Sequence, residues 1–365
     1  MRKYLRVIAI NTLLLLTLAS CQKESSVFTA TVETIPEPEA ATELSVDKIE
    51  SDYLYSEYFA VFDSLLISSC PNSGDSIFYV SDIKNNKYLG GFMSRGQGPN
   101  ESVALAPIKR IERKGNDLVA LTYDGVKHCM LDWNITESIK TGGDSLIKLG
   151  FYQNPNEFSL TYSAIYKLGN SKYVGYVPSI TIGLESGPIG PSYWIFEGSG
   201  EVPTHGISIV KDIIRNNACK NVSEDFFFSS AWCLSPDNSK IADAMHWLNQ
   251  INIIDVATDS ICSYRVEGSP DESIFETTME HPIYQYKDVA CSDSAIYALY
   301  FGDDPENYKG TGGCMWLHEF DWDGNFKRKY HLPVSLLRIW MDPSSNTLYG
   351  FNEPEHALYK LNVEP

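Results

Sequence analysis

The sequence predicts an all-β fold made of six similar modules, and three observations carry that prediction. The first is a short phrase, a turn pair or triplet running into an apolar strand, that recurs six times. It reads Asp63-Ser64-Leu65-Leu66-Ile67, Asn116-Asp117-Leu118-Val119-Ala120, Asn170-Ser171-Lys172-Tyr173-Val174, Asn238-Ser239-Lys240-Ile241-Ala242, Asp293-Ser294-Ala295-Ile296-Tyr297 and Ser345-Asn346-Thr347-Leu348-Tyr349. The starts are 53, 54, 68, 55 and 52 residues apart, and a recurring interval of this size marks a repeat architecture. The second is that each phrase is flanked by short runs of β-branched and aromatic residues bounded by Gly, Asn, Asp and Ser, which read as strands. The third is hairpin chemistry: Asp124-Gly125 and Asp323-Gly324 supply the residue types that tight turns with positive φ require. Four antiparallel strands per module, six times over, is the pattern of a six-bladed β-propeller.

Within a module the strands follow in order. First strands read at residues 58–62, 231–234 and 337–341, each just upstream of the phrase, and the phrase itself is the second strand. Third strands read at 78–82, 129–132, 253–255 and 317–321, commonly ending on an acid. More polar fourth strands read at 87–92, 135–139, 261–264 and 326–330. Asp132-Trp133 and Asp321-Trp322 close third strands and read as hairpin residues; a period near forty with Gly-His partners, as in WD repeats, is missing. Little room is left for helix, with candidates at 271–280 and, more weakly, 210–217. The last module has only three strands before the C-terminus, the third being Ala357-Leu358-Tyr359-Lys360-Leu361. An open edge there would invite mispairing, so a strand from within residues 43–55 is expected to close the ring.

The first residues read as an address. Arg2, Lys3 and Arg6 precede an apolar run over 7–18 and then Leu18-Ala19-Ser20-Cys21. The run is too short to span a bilayer and has the form of a secretory signal. The Leu-Ala-Ser-Cys ending resembles a bacterial lipobox, which implies cleavage before Cys21 and lipid on its sulfur. The reading of the whole is therefore a lipoprotein signal peptide over 1–20, a flexible tether over 21–42 rich in Ser, Thr, Glu and Pro, and one propeller domain over 43–365. Lys23-Glu24, just after the cysteine, weakly resembles a surface-export signal of some Gram-negative bacteria; it also reads as the first polar pair of a linker.

Charge and cysteines narrow the function. The chain of 365 residues carries a net charge of −18, and loss of residues 1–20 removes three positive charges and no acids, leaving −21. Nucleic-acid binding needs Lys and Arg to neutralise phosphate, and an acidic body also disfavours adhesion to an anionic membrane, so attachment is expected through the lipid. Of eight cysteines, seven remain after Cys21, an odd number. Cys129, Cys233, Cys262, Cys291 and Cys314 fall on predicted strands, where a buried thiol acts as a small apolar group. Cys219 and Cys233 could pair. No Cys-x-x-Cys occurs, so a zinc ribbon or thioredoxin-like site is not suggested.

The familiar catalytic signatures, Gly-x-Ser-x-Gly, His-Glu-x-x-His and the phosphate loop, are missing. Asp321-Trp322-Asp323-Gly324-Asn325 lacks the glycine position and terminal Glu of a calcium loop and reads as a turn. Asp303, Asp304, Glu306, Glu353 and Glu355 could in principle converge on a metal, but acids on loops of an acidic protein are usually solvated. No catalytic residue, metal or cofactor is assigned. Topology points elsewhere. Second-to-third loops and blade-to-blade links open on one face of a propeller, and the long segments 177–192, 200–229, 267–287 and 301–313 all sort there. Loops held by rigid strands carry function. On that face Arg95, Tyr123, Tyr176, His246, Trp247, Tyr300, Asp303, Glu353 and His356 are the candidate ligand-binding residues, with packing between blades as the competing role for each aromatic.

Two stretches carry a family resemblance. Gly96-Gln97-Gly98-Pro99-Asn100-Glu101, after the first blade's fourth strand, resembles a turn motif of bacterial TolB-like six-bladed propeller lipoproteins. Trp232-Cys233-Leu234-Ser235-Pro236-Asp237-Asn238-Ser239-Lys240-Ile241-Ala242 is similar to their repeats, in which Ser-Pro-Asp precedes the second strand. The resemblance implies a binding or scaffold protein of the bacterial envelope, with an outer-membrane, periplasmic or surface location, and transfers no functional residue. The expected function is recognition of a protein, peptide or glycan partner through the loop-rich face. The alternative is a propeller hydrolase or lyase with carboxylates and a histidine at the central channel.

Overall fold

The structure is a computed structural model that describes residues 27–70, 74–98, 101–103, 105–127, 129–151, 164–169, 172–176, 192–197, 203–211, 228–271, 283–304, 306–307 and 312–363. The signal segment, Cys21, Cys219, most of the long loops and nearly all of both helix candidates lie outside those residues.

Three short strands come first: β1 (Val32–Ile35), β2 (Ala41–Glu43) and β3 (Val46–Ile49). The first blade is β4 (Phe59–Phe62), β5 (Leu65–Ser69), β6 (Ser76–Asp82) and β7 (Lys87–Ser94). The second is β8 (Ile111–Lys114), β9 (Asp117–Asp124), β10 (Cys129–Asn134) and β11 (Leu146–Phe151), with helix α1 (Ile135–Thr141) between its last two strands. The third is β12 (Ala164–Gly169), β13 (Lys172–Tyr176), β14 (Tyr193–Glu197) and β15 (His205–Ile207). The fourth is β16 (Ser230–Leu234), β17 (Lys240–Met245), β18 (Gln250–Asp255) and β19 (Ile261–Val266). The fifth is β20 (Tyr284–Cys291), β21 (Ile296–Asp303), β22 (Cys314–Phe320) and β23 (Phe326–Leu336). The sixth is β24 (Arg338–Asp342), β25 (Thr347–Asn352) and β26 (Ala357–Leu361). Six separate sheets in this order are a six-bladed β-propeller.

The ring closes as the sequence requires. β3 pairs antiparallel with β26, setting Val46 opposite Leu361 and Ile49 opposite Leu358, and so supplies the sixth blade's fourth strand. The residues before it extend the same principle to neighbouring blades. β2 adds parallel to β23, and β1 adds parallel to β19. Phe28 bridges Val210 at the edge of the third blade. Residues 28–49 thus form an extended belt along the outer edges of four consecutive blades, covering backbone that would otherwise be open. Arg265 of β19 sits over the Phe28 ring at 5.6 Å.

The recurrent phrase has a backbone cause. Asp63, Asn238 and Asn346 hold φ of +58°, +63° and +53° between first and second strands, the left-handed region that Asn and Asp enter more readily than other side chains. Each blade needs a reversal there, and that need is what repeats. In the β22–β23 turn Gly324 has φ +86°, as the Asp-Gly pair predicts. The Asp124 turn is held instead by its carboxylate, which accepts from the backbone N–H of Val126 at 3.0 Å and of Lys127 at 2.9 Å.

One fourth strand falls elsewhere than predicted. Residues 135–139 are helical: Asn134 caps α1 by accepting from the Glu137 N–H, and Gly142, at φ +71°, ends it. The fourth strand is β11. Trp133, read as a hairpin residue, is an interior position of β10 with no exposed surface. Its ring stacks on Phe78 at 5.1 Å and its Nε1–H donates to Ser138 of α1 at 3.0 Å. A β-rich propensity in Ile-Thr-Glu-Ser-Ile lost to the cap pair and to this buried indole.

The core lies between blades. One cluster joins the sixth, first and second blades around Phe78, Trp133 and Phe351, and others fill the remaining gaps. The fourth blade also contains a buried polar ladder. From the channel outward, Ser230 Oγ donates to Asp243 at 2.5 Å, Asn252 Nδ2 to Asp243 at 2.9 Å, Ser263 Oγ to Asn252 at 2.8 Å, and Arg265 Nη2 to Gln250 at 2.8 Å. Tyr193 of the third blade donates to the same Asp243 at 2.6 Å. Burial holds the Asp243 carboxyl above its ordinary range against the opposing effect of these three donors.

Candidate functional site at the channel mouth

The first strands line the central channel, and by topology the residues that open β20 and β24 and precede β4 lie at its loop-rich end. Arg338 is the centre of this group. Its guanidinium lies over the Tyr58 ring at 4.9 Å, with Nε 3.6 Å from Glu57 Oε2 and Nη1 3.9 Å from Asp288 Oδ1. Asp288, buried in β20, also accepts the Ile339 N–H at 3.0 Å, tying the fifth blade to the sixth. Burial opposes the Arg338 charge, but Asp288, Tyr58 and Glu57 more than offset it, and its pKa is raised. Among the described residues its Nε–H has no hydrogen-bond acceptor.

Lys287, next to Asp288, lies 5.9 Å from the Tyr284 ring. Burial, reinforced by the Arg338 charge, lowers its pKa. His246 stacks on Tyr284 at 5.2 Å and donates from Nδ1 to the Tyr286 carbonyl at 2.6 Å. Burial, with Lys287 and Arg338 nearby, pushes its pKa down to about 4, against the raising effect of the Tyr286 carbonyl. Arg338, Lys287, His246, Asp288, Glu57 and Tyr58 therefore form one cluster, drawn from the fourth, fifth, sixth and first blades. A buried cluster in which Arg338, Lys287 and His246 are all shifted from their ordinary values is a candidate functional site. The arrangement sets two cations and two carboxylates beside the Tyr58 and Tyr284 rings, charged groups next to aromatic faces.

The nine residues expected on this face divide sharply. His246 is in the cluster, and Trp247 sits behind it, buried edge-on against Tyr284 at 5.1 Å. Tyr123 and Tyr176 are buried between blades; Tyr176 lies 5.2 Å from Trp232 and its hydroxyl donates to the Ser230 carbonyl at 3.3 Å. Tyr300 stacks on His318 at 4.2 Å. Arg95 holds its own loop, donating to the carbonyls of Gly74 at 3.1 Å and Cys70 at 2.5 Å. His356 donates from Nε2 to the Leu54 carbonyl at 2.7 Å, at the sixth-to-first link. Asp303 accepts from the Asp304 N–H at 2.7 Å, and Glu353 is exposed. Glu355 pairs with Lys48 at 2.7 Å on the closing strand. Among the described residues no three His, Cys, Asp or Glu side chains gather as a metal-sized group.

Lys287, Asp288 and Arg338 were not singled out from the sequence. The signal was present: a Lys-Asp pair interrupts the apolar β20, and a lone Arg stands in Leu336-Leu337-Arg338-Ile339-Trp340.

Fold and mouth together define a six-bladed β-propeller with a polar, aromatic-rimmed channel entrance. A family model described as TolB-like 6-blade propeller-like matches residues 195–342. The TolB-like resemblance is thus borne out, and the Trp232–Ala242 phrase lies inside the matched segment, whereas Gly96–Glu101 lies outside it. Two solved structures share the fold at 11% identity and a TM-score of 0.54. One is a candidate exported protein of Bacteroides fragilis NCTC 9343, with 91% of this chain and 99% of that one covered. The other is a member of the duf4221 family from Bacteroides vulgatus ATCC 8482, with 88% and 96% covered. No curated protein matches the sequence.

Proposed function

We propose that this protein is a lipid-anchored binding protein of the bacterial envelope that recognises an acidic peptide or glycan at the channel mouth. The observation that carries the reading is the convergence of Arg338 and Lys287 there, each beside an aromatic ring, Tyr58 and Tyr284. An incoming carboxylate would add to the charge pairing of these two cations, and Tyr58 and Tyr284 offer rings for the rest of the ligand. The anchor rests on the Leu18-Ala19-Ser20-Cys21 ending, and the exported description of the Bacteroides fragilis relative agrees with an address outside the cytoplasm.

The test is a panel of peptides and oligosaccharides offered in acidic form and in amidated or esterified form. Acidic members should bind, their neutral counterparts should not, and Arg338→Gln with Lys287→Met should weaken capture by about tenfold or more, the scale of a charge-assisted hydrogen bond. Binding indifferent to ligand charge, or unchanged in both variants while they remain folded, would overturn the proposal.

A further inference from the structure

Toward the first-to-second turns the channel wall encloses a cavity of about 130 Å³. Its wall is made of first strands and includes Arg110, Tyr166, Trp232, Trp340 and two cysteines from adjacent blades, Cys233 of β16 and Cys291 of β20. Their sulfurs are 2.9 Å apart. The Cys233 thiol donates to Cys291 Sγ, and the Cys291 thiol donates to the Leu234 carbonyl at 2.9 Å. A sulfur–sulfur bond is roughly 2.05 Å long, so pairing needs the two sulfurs to approach by about 0.85 Å. Cys291 is buried and Cys233 half-buried, and both face the same cavity.

We propose that Cys233 and Cys291 are an oxidisable dithiol site, converted by a peroxide-class oxidant into a disulfide that joins the fourth and fifth blades across the channel wall. A water needs roughly 10–15 Å³ of such space, so hydrogen peroxide fits in the cavity beside the two sulfurs. One thiol loses its proton and attacks a peroxide oxygen. The O–O bond breaks, and the departing hydroxide takes up that proton as water, leaving a sulfenic acid. The second sulfur then attacks the first, the S–O bond breaks, and the hydroxyl leaves as a second water with the second thiol's proton. The sulfurs lose two electrons and the peroxide gains two. Burial raises the Cys233 pKa, the nearby Lys109 charge opposing it only in part, so the first step is slow and needs the oxidant held in the cavity.

The experiment treats the purified full chain with hydrogen peroxide, blocks remaining thiols with iodoacetamide and maps peptides under non-reducing conditions. The expected product is a Cys233–Cys291 linked peptide, lighter by two hydrogens and released by a reductant. In Cys291→Ser, Cys233 should instead trap dimedone as a sulfenic acid, a label weak or missing in the parent. The mapping needs no variant, so a folding failure of Cys291→Ser leaves the proposal testable. Recovery of both cysteines as alkylated thiols, as separate sulfinic acids, or with Cys233 linked to Cys219 would overturn it.

Discussion

Ile49 lies directly opposite Leu358, so residues more than three hundred positions apart share one ladder and one sheet. Closure of this kind couples the N-terminal belt to the stability of every blade. Replacing Asp47 and Lys48 together by proline removes whichever N–H of the adjacent pair faces β26. The expected cost is on the order of 2–4 kcal/mol, from lost ladder bonds and an opened edge. Urea unfolding of the double variant measures it; an unchanged midpoint would mean that β3 contributes nothing to closure.

Tyr193 should behave as a strut between the third and fourth blades. Its hydroxyl donates to the buried Asp243, and Tyr193→Phe removes that donor while keeping the ring. A loss of about 1–2 kcal/mol is expected in the same unfolding measurement. Asp243→Leu strands the donors of Ser230, Tyr193 and Asn252 together and should cost more than Tyr193→Phe.

Acid should weaken the fold through its buried histidines. His246 titrates near 4 when folded, and His318, fully buried, is pushed well below its ordinary value by burial and then by Lys329. The unfolded chain holds more protons than the folded one between about pH 6.5 and 4, so stability is full above that window and is lost as pH falls through it. For His246 the loss is about 3 kcal/mol by pH 4, at about 1.4 kcal/mol per pH unit. Unfolding midpoints at pH 7 and pH 4.5 check the direction, and His246→Gln should flatten part of the slope.

The α1 cap offers a local check. Asn134→Ala removes the acceptor for Glu137 N–H and the donor to Asp117 at 2.9 Å, and should cost about 1 kcal/mol. Trp133→Ala, by contrast, empties a fully buried site between two blades and should cost about 3–5 kcal/mol. A reversed order would contradict the packing of α1 on the second blade.

The architecture was legible because its cause is local. A left-handed Asx turn and a pair of apolar strands recur wherever the backbone must reverse, and Asp63, Asn238 and Asn346 show that requirement in the sequence. The missing fourth partner of β26 was legible for the same reason, since a ring must close. The mouth was less so. Tyr123, Tyr176 and Trp247 stand at loop starts in the sequence, yet their large apolar areas are better used between blades than against ligand. Lys287 and Arg338 each stand out locally as a charge in an apolar strand, but they meet only through the ring, across fifty residues of chain. The Cys233–Cys291 contact is non-local in the same way, which is why spacing alone suggested Cys219 as the partner.

An acidic ligand is expected to touch the ring at the Arg338–Lys287 cluster. Hydrogen exchange of the full chain, with and without a saturating acidic member of the panel, locates that contact. Slowed exchange confined to segments holding Glu57 and Tyr58, Tyr284 to Asp288, and Arg338 is the predicted result. Protection on the first-to-second turns or along the outer edge strands, with none at those three segments, would contradict it.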